Sequence, residues 1–234
     1  MNSTGQGSGN VEKARLYAVL ATIVVNVLAV ALLTLAPWSD WRTGFGLNLI
    51  DQVILLATAF CFRDRTMLRL LAFGLVVGVA ELVADAWLVE YTSTLDYSPG
   101  GGPMLWRSPL WMPLAWQIVA VQFGVLGITL RKWRRIPGLL LNGVLGAINI
   151  PYYEEMARQI HWWRYSGCCM LSGTPYYIIV GELGIALGLA VCAERAIRGK
   201  PAAVLVAGIA GGALIFGCYA TAFYLTDALW QPSR

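Results

Sequence analysis

Residues 80–103 read AELVADAWLVEYTSTLDYSPGGGP, an apolar run broken by Glu81 and, four residues on, by Asp85. That spacing puts both carboxyls on one face of a helix. Asp51 and Glu182 interrupt other apolar runs in the same way. A charged acid at the centre of a membrane helix costs on the order of 3 kcal/mol unless it is neutralised, paired or hydrated. No Lys or Arg falls at the depth of these four acids, so they cannot all be ionised together, and at least one is expected to hold its proton at neutral pH. A carboxylic acid that keeps its proton beside an accessible cavity is a Brønsted acid. Glu81, Glu182, Asp85 and Asp51 are therefore the candidate catalytic residues. The chain has one histidine, and its five cysteines lack metal-type spacing, so neither a metal nor a cofactor is expected.

The elements that must position these acids are membrane helices. Of the 234 residues 58% are hydrophobic and 13% charged, about half the charge of an ordinary soluble domain. The net charge of +4 is spread along the chain and does not point to nucleic acid. Apolar segments near 16–36, 45–62, 68–90, 109–130, 136–153, 175–194 and 202–225 predict an all-α, polytopic seven-helix transmembrane bundle. Residues 1–12, polar and Gly/Ser-rich, are expected to be a disordered tail ahead of a single domain over 13–234. Lys13, Arg15, Arg63, Arg65, Arg69, Arg131, Lys132, Arg134, Arg135, Arg195, Arg198 and Lys200 fall on one side of this arrangement. Only Arg42, Arg107, Arg158, Arg164 and Arg234 fall on the other. The positive-inside rule then makes the N-terminus cytoplasmic and the C-terminus external. A bacterial inner membrane is the expected location.

The outer connections, 91–108 and 154–174, are long and rich in Trp and Tyr, as interface belts are. YYEEMARQIHWWRY, residues 152–165, carries Tyr153, Met156, Ile160 and Trp163 at helical spacing. It predicts a helix lying along the outer interface, with Glu154 and Arg158 paired one turn apart. Taking 1.5 Å of rise per residue, Glu81, Asp51 and Glu182 lie about 10 Å below the outer boundary. Gln117 lies about 12 Å down and Tyr219 about 9 Å. Asp85 and Asn149 lie shallower and Asn26 deeper. Six helices thus bring polar groups to one level, which predicts a shared polar cavity opening outward.

Two stretches carry a resemblance. PLWMPLAWQIV, residues 109–119, resembles the Trp-Glu segment of integral-membrane terpene cyclases, and also Pro-Leu-x-Trp segments of carotenoid-modifying membrane proteins. NIPYYEEMA, residues 149–157, resembles the Pro/Glu-Glu motif of membrane lycopene cyclases. The resemblance covers about twenty residues. Gln117 stands where the terpene-cyclase motif carries an acid, and Pro151 is separated from Glu154 by two residues rather than one. The resemblance implies a small helical enzyme that protonates an alkene or epoxide with a carboxylic acid and without a metal.

The expected function is therefore acid–base chemistry on a membrane lipid or isoprenoid in the outer half of the bundle. Gln117, Trp116, Trp111, Asn149, Glu154, Tyr219 and Trp87 are the candidate substrate contacts, with Tyr97 a further pocket aromatic. Two alternatives remain: a noncatalytic assembly or lipid-binding subunit, and a proton-coupled carrier. The carrier has no inverted repeat to support it.

Overall fold

The computed structural model describes residues 3–226, with side chains described from residue 9 onward. Among the described residues the chain is mostly helical, with seven long helices. They are α1 (Ser3–Leu33), α2 (Trp41–Cys61), α3 (Arg65–Ala86), α4 (Met112–Trp133), α5 (Arg135–Ile160), α6 (Tyr176–Arg198) and α7 (Ala202–Thr226). Six are long and apolar enough to cross a membrane; α5 is the exception. Asn142, Asn149, Pro151 and the run Glu154–Arg158 dilute its apolar content. The C-terminal residues 227–234, on which the external terminus was placed, lie outside the described residues.

Two expectations are corrected. α1 is already helical from Ser3, inside the segment expected to be disordered. Extending an existing helix adds one hydrogen bond per residue fixed, whereas starting one is costly. Residues 152–160 are not a separate interface helix. They continue α5 through Pro151, until His161 turns left-handed (φ 65°) and ends it. The outer connections carry short strands. They contain three two-residue antiparallel pairings: β1 (Leu95–Asp96) with β4 (Arg164–Tyr165), β2 (Met104–Leu105) with β3 (Ser108–Pro109), and β5 (Met170–Leu171) with β6 (Thr174–Pro175).

The two ends of the bundle are built differently. At the basic end, Asp64 caps α3 by accepting from the amides of Thr66 and Met67, which a helix N-terminus otherwise leaves unbonded. The same carboxylate takes a two-pronged ion pair from Arg15 at 2.7 and 2.8 Å, tying α1 to the α2–α3 turn. Arg69 donates to the Gly199 carbonyl, joining α3 to the α6–α7 turn.

At the opposite end the long connections form a cap. β1 pairs with β4, the Ser166 amide donates to the Thr94 carbonyl, and Trp162 Nε1 donates to the Asp40 carbonyl at 3.0 Å. Thr94 and Tyr177 share a hydroxyl hydrogen bond of 2.7 Å.

Lipid offers no hydrophobic drive between helices, so close backbone approach at small residues holds such bundles together. α3 meets α4 at Gly78, where a methyl group would stand 2.0 Å from the Pro113 carbonyl oxygen. α6 meets α7 at Gly181, where it would stand 2.5 Å from the Tyr219 ring. Asn142 of α5 donates to the carbonyls of Phe123 in α4 and Ala186 in α6. α1 is attached through Tyr152, whose hydroxyl donates to the Val27 carbonyl at 2.6 Å, and through Thr22, which accepts from Gln122.

Candidate functional site

The α3–α4 and α6–α7 contacts bring the C-terminal part of α3 against the N-terminal parts of α4 and α6. A cavity of about 160 Å³ opens there, just under the cap. Three carboxyls line it: Asp85 from α3, Glu154 from α5 and Glu182 from α6. Each receives a hydrogen bond from an aromatic side chain. Tyr97 donates to Asp85 at 2.7 Å and Tyr219 to Glu182 at 2.6 Å. Glu154 accepts from Trp163 Nε1 and, at 3.4 Å, from the Tyr165 hydroxyl. All three carboxyls are buried, and among the described residues the wall contains no Lys, Arg or His.

The roof is indole. Trp111, Trp162 and Trp163 stand with ring centroids 5.5 to 6.0 Å apart, and Trp111 and Trp162 are buried. Trp116 meets Tyr219 edge-on across the wall. Asn26, Asn48, Asn149 and Gln122 supply neutral polar atoms around an otherwise apolar lining.

Of the residues singled out from the sequence, Asp85, Glu182, Glu154, Asn149, Trp111, Trp116, Tyr97 and Tyr219 share this wall. Four others stand outside it. Glu81 is fully buried one turn behind Asp85, with Asp85 and Trp116 as its polar neighbours and no well-aligned hydrogen bond to either carboxyl oxygen. Asp51 is covered by Asn26, which donates to it at 2.7 Å. Gln117 is spent on packing: it donates to the Leu71 carbonyl and accepts from Gln52, joining α2, α3 and α4. Trp87 faces α7, stacked on Tyr91 and edge-on to Phe216 and Phe223. Two residues along a helix is a turn of about 200°, so Trp87 and Asp85 point to opposite sides. A π-helical turn over Trp87–Tyr91 then widens the end of α3.

The expected Glu154–Arg158 pair is also corrected. Arg158 pairs with Glu155 at 2.6 Å, on the outer face of α5, which leaves Glu154 to the cavity. Trp162, Trp163, Tyr153 and Tyr165 were expected at the lipid interface, yet they line the cavity. The adjacent indoles of His161-Trp162-Trp163 were the signal: the left-handed turn at His161 folds that run back over the bundle.

The cap has its own acid. Partial burial alone would raise Asp96, but hydrogen bonds from Ser98 and the Arg164 ion pair at 2.9 Å overcome it and hold the carboxyl below its ordinary value. A carboxyl depressed in the folded state stabilises fully above the unfolded value, near 3.9, and loses that contribution as pH falls toward the folded one. Acrylamide quenching of the tryptophans should thus stay level from pH 7 to pH 5 and rise below pH 4. In Asp96→Asn the quenching should be higher throughout, with a smaller change below pH 4. A wild-type profile with no rise below pH 4 would remove the Asp96–Arg164 pair as a latch of the cap.

Fold and site together define a membrane-embedded helical protein with a carboxyl-lined cavity beneath an aromatic cap. The chain belongs to the DUF6989 family, a domain of unknown function, matched over residues 82–226, more than half of its length. That match takes in Asp85, Glu154, Glu182 and the whole indole roof, and leaves out α1 and α2. No curated protein and no solved structure matches the chain.

Proposed function

We propose that this protein is an integral-membrane enzyme that acts on an isoprenoid or related lipid by carboxylic acid–base chemistry, in the manner of a terpene cyclase. The observation that carries this reading is the sharing of one small, largely aromatic cavity by Asp85, Glu154 and Glu182 with no cation among them. Carboxyls so placed must share protons rather than all ionise. A proton passing from one carboxyl oxygen to an alkene carbon, or to an epoxide oxygen, leaves a carboxylate and a carbocation on the substrate. The faces of Trp111, Trp116, Trp162 and Trp163 offer that cation electron-rich surroundings from which bulk water is kept out. A carboxylate then removes a proton from an adjacent carbon, closing the cycle with no net consumption of acid.

Glu182 and Asp85 are the donors this geometry favours, and Glu81 stands behind Asp85 as the next carboxyl inward. An apolar cavity of on the order of 150 Å³ holds one benzene-sized ring. The space therefore suits the reacting end of an isoprenoid, with the remainder of the chain running between helices into lipid.

Native mass spectrometry of the gently extracted protein tests the reading. A polyisoprenoid adduct should accompany the wild type and be lost from Ala115→Trp, which fills the cavity. Its persistence in the filled variant would place the ligand elsewhere and refute the site.

The same proposal gives α5 as a seventh span, with the basic end cytoplasmic and the cavity on the outer side of an inner bacterial membrane. Two things support it: the twelve-to-five division of Lys and Arg, and the course of α5, which starts at the basic end beside Arg134 and reaches the cavity at Glu154. A reporter fused after Arg234 should be active only on the non-cytoplasmic side; cytoplasmic activity would sink the seven-span topology.

A further inference from the structure

We propose that a pocket at the basic end, between α4, α5, α6 and α7, binds the phosphate headgroup of an anionic membrane lipid. The pocket is open and encloses about 860 Å³. Its wall carries Arg131, Lys132, Arg135, Arg195 and Arg198 around one carboxylate, Glu194. It is far from the carboxyl-lined cavity and shares no residue with it.

The internal pairing in this wall is incomplete. Glu194 is shared by Arg131 and, at 2.8 Å, Arg198. Lys132 reaches Glu12. Among the described residues no ion pair engages Arg135 or Arg195, both exposed, and Arg131 Nε is buried without a hydrogen-bond partner. Elsewhere at this end Arg15 is paired with Asp64, and Arg69 donates through Nη2 to backbone carbonyls while its Nε is likewise without a partner. The concavity thus gathers cations that no carboxylate among the described residues neutralises, where α4 and α6 end and the positive N-termini of α5 and α7 begin.

Charge alone would equally suit a free phosphate. The apolar side of the wall decides for lipid: Ile128 and Val191 continue the pocket onto the membrane-facing flanks of α4 and α6, where an acyl chain can lie below its headgroup. Basic pockets between transmembrane helices recognise anionic headgroups in this way. Occupancy would bridge four helix ends, all belonging to helices that wall the carboxyl-lined cavity.

The test uses the full chain in phosphatidylcholine nanodiscs with phosphatidylglycerol added as the probe, read by native mass spectrometry. Phosphatidylglycerol should be retained in preference to phosphatidylcholine. Arg135→Gln with Arg195→Gln should weaken retention roughly 30-fold, about fivefold per cation removed. Arg63→Gln with Arg65→Gln removes equal charge from the same end outside the pocket and should leave retention unchanged. Should the double pocket variant melt early in phosphatidylcholine, Arg195→Gln alone still reads the fivefold loss. Equal loss in the control pair would mean a diffuse surface effect and overturn the site. So would equal retention of phosphatidylcholine, or displacement of the lipid by inorganic phosphate at matching affinity, which would make the ligand a free anion.

Discussion

Glu182→Gln should abolish turnover of an isoprenoid substrate while leaving the protein folded and loaded. The amide keeps the volume of the carboxyl, and its oxygen can still accept from Tyr219, whose hydroxyl stands 2.6 Å from Glu182 Oε1. What the amide lacks is a transferable proton. A positioned general acid contributes about 100- to 10,000-fold to rate, so the loss should be at least 100-fold in kcat with little change in melting temperature. Asp85→Asn should behave alike, because Tyr97 holds that carboxyl in the same way. Glu81→Gln separates a donor from a group that supplies the donor: behind the wall, Glu81 can act only through Asp85, so its loss should be smaller and should shift the pH profile. Gln117→Leu is the internal control, since its amide bonds join α2, α3 and α4 and it has no part in proton transfer. That variant should lower the melting temperature. If all three acid variants turn over normally, none of these carboxyls is the proton donor and the site assignment fails; if the wild type holds the lipid and never turns it over, the noncatalytic reading replaces the enzyme.

The course from sequence to site was uneven for physical reasons. Helix existence follows from long apolar runs, and the depth of Asp85, Glu182 and Tyr219 follows from counting residues at a fixed rise; these three reach one cavity. Depth does not give azimuth. Asp51 and Gln117 were both expected near this level, yet Asp51 is turned under Asn26 and Gln117 toward Leu71. Rotation about a helix axis is set by neighbouring helices, which a single chain does not display.

The cap was the part least open to sequence reading. Trp and Tyr near a membrane boundary have one pattern whether they anchor in headgroups or close a cavity. The left-handed turn at His161 and the long-range β1–β4 pairing decide which. The span expected over 136–153 and the interface helix expected over 152–165 are one helix as far as Ile160, which leaves Glu154 inside and Glu155 outside on adjacent residues.

Gly78→Leu should prevent the bundle from forming, and Gly78→Ala should cripple it. The contact is backbone against backbone: an added Cβ meets the Pro113 carbonyl oxygen at 2.0 Å and its carbonyl carbon at 2.8 Å. No side-chain rotation relieves that overlap, so α3 and α4 must separate, whereas overpacking by one methylene in a yielding core costs about 1–3 kcal/mol. Separation also withdraws Asp85 from the wall it shares with Trp116, so activity should fall in any Gly78→Ala protein that does assemble. Gly74, one turn earlier, faces the Gln117 carbonyl at 2.6 Å and should respond in the same direction. Gly46→Ala is the matched control. Its Cβ would meet nothing within 4 Å, and alanine favours a helix over glycine by about 1 kcal/mol. That variant should be extracted at wild-type yield with an unchanged or slightly raised melting temperature. The measurement is detergent-extracted yield with thermal unfolding for all three positions. If Gly78→Ala melts with the wild type while keeping activity, α3 and α4 do not meet at Pro113, and the cavity their contact builds is not the site of the chemistry.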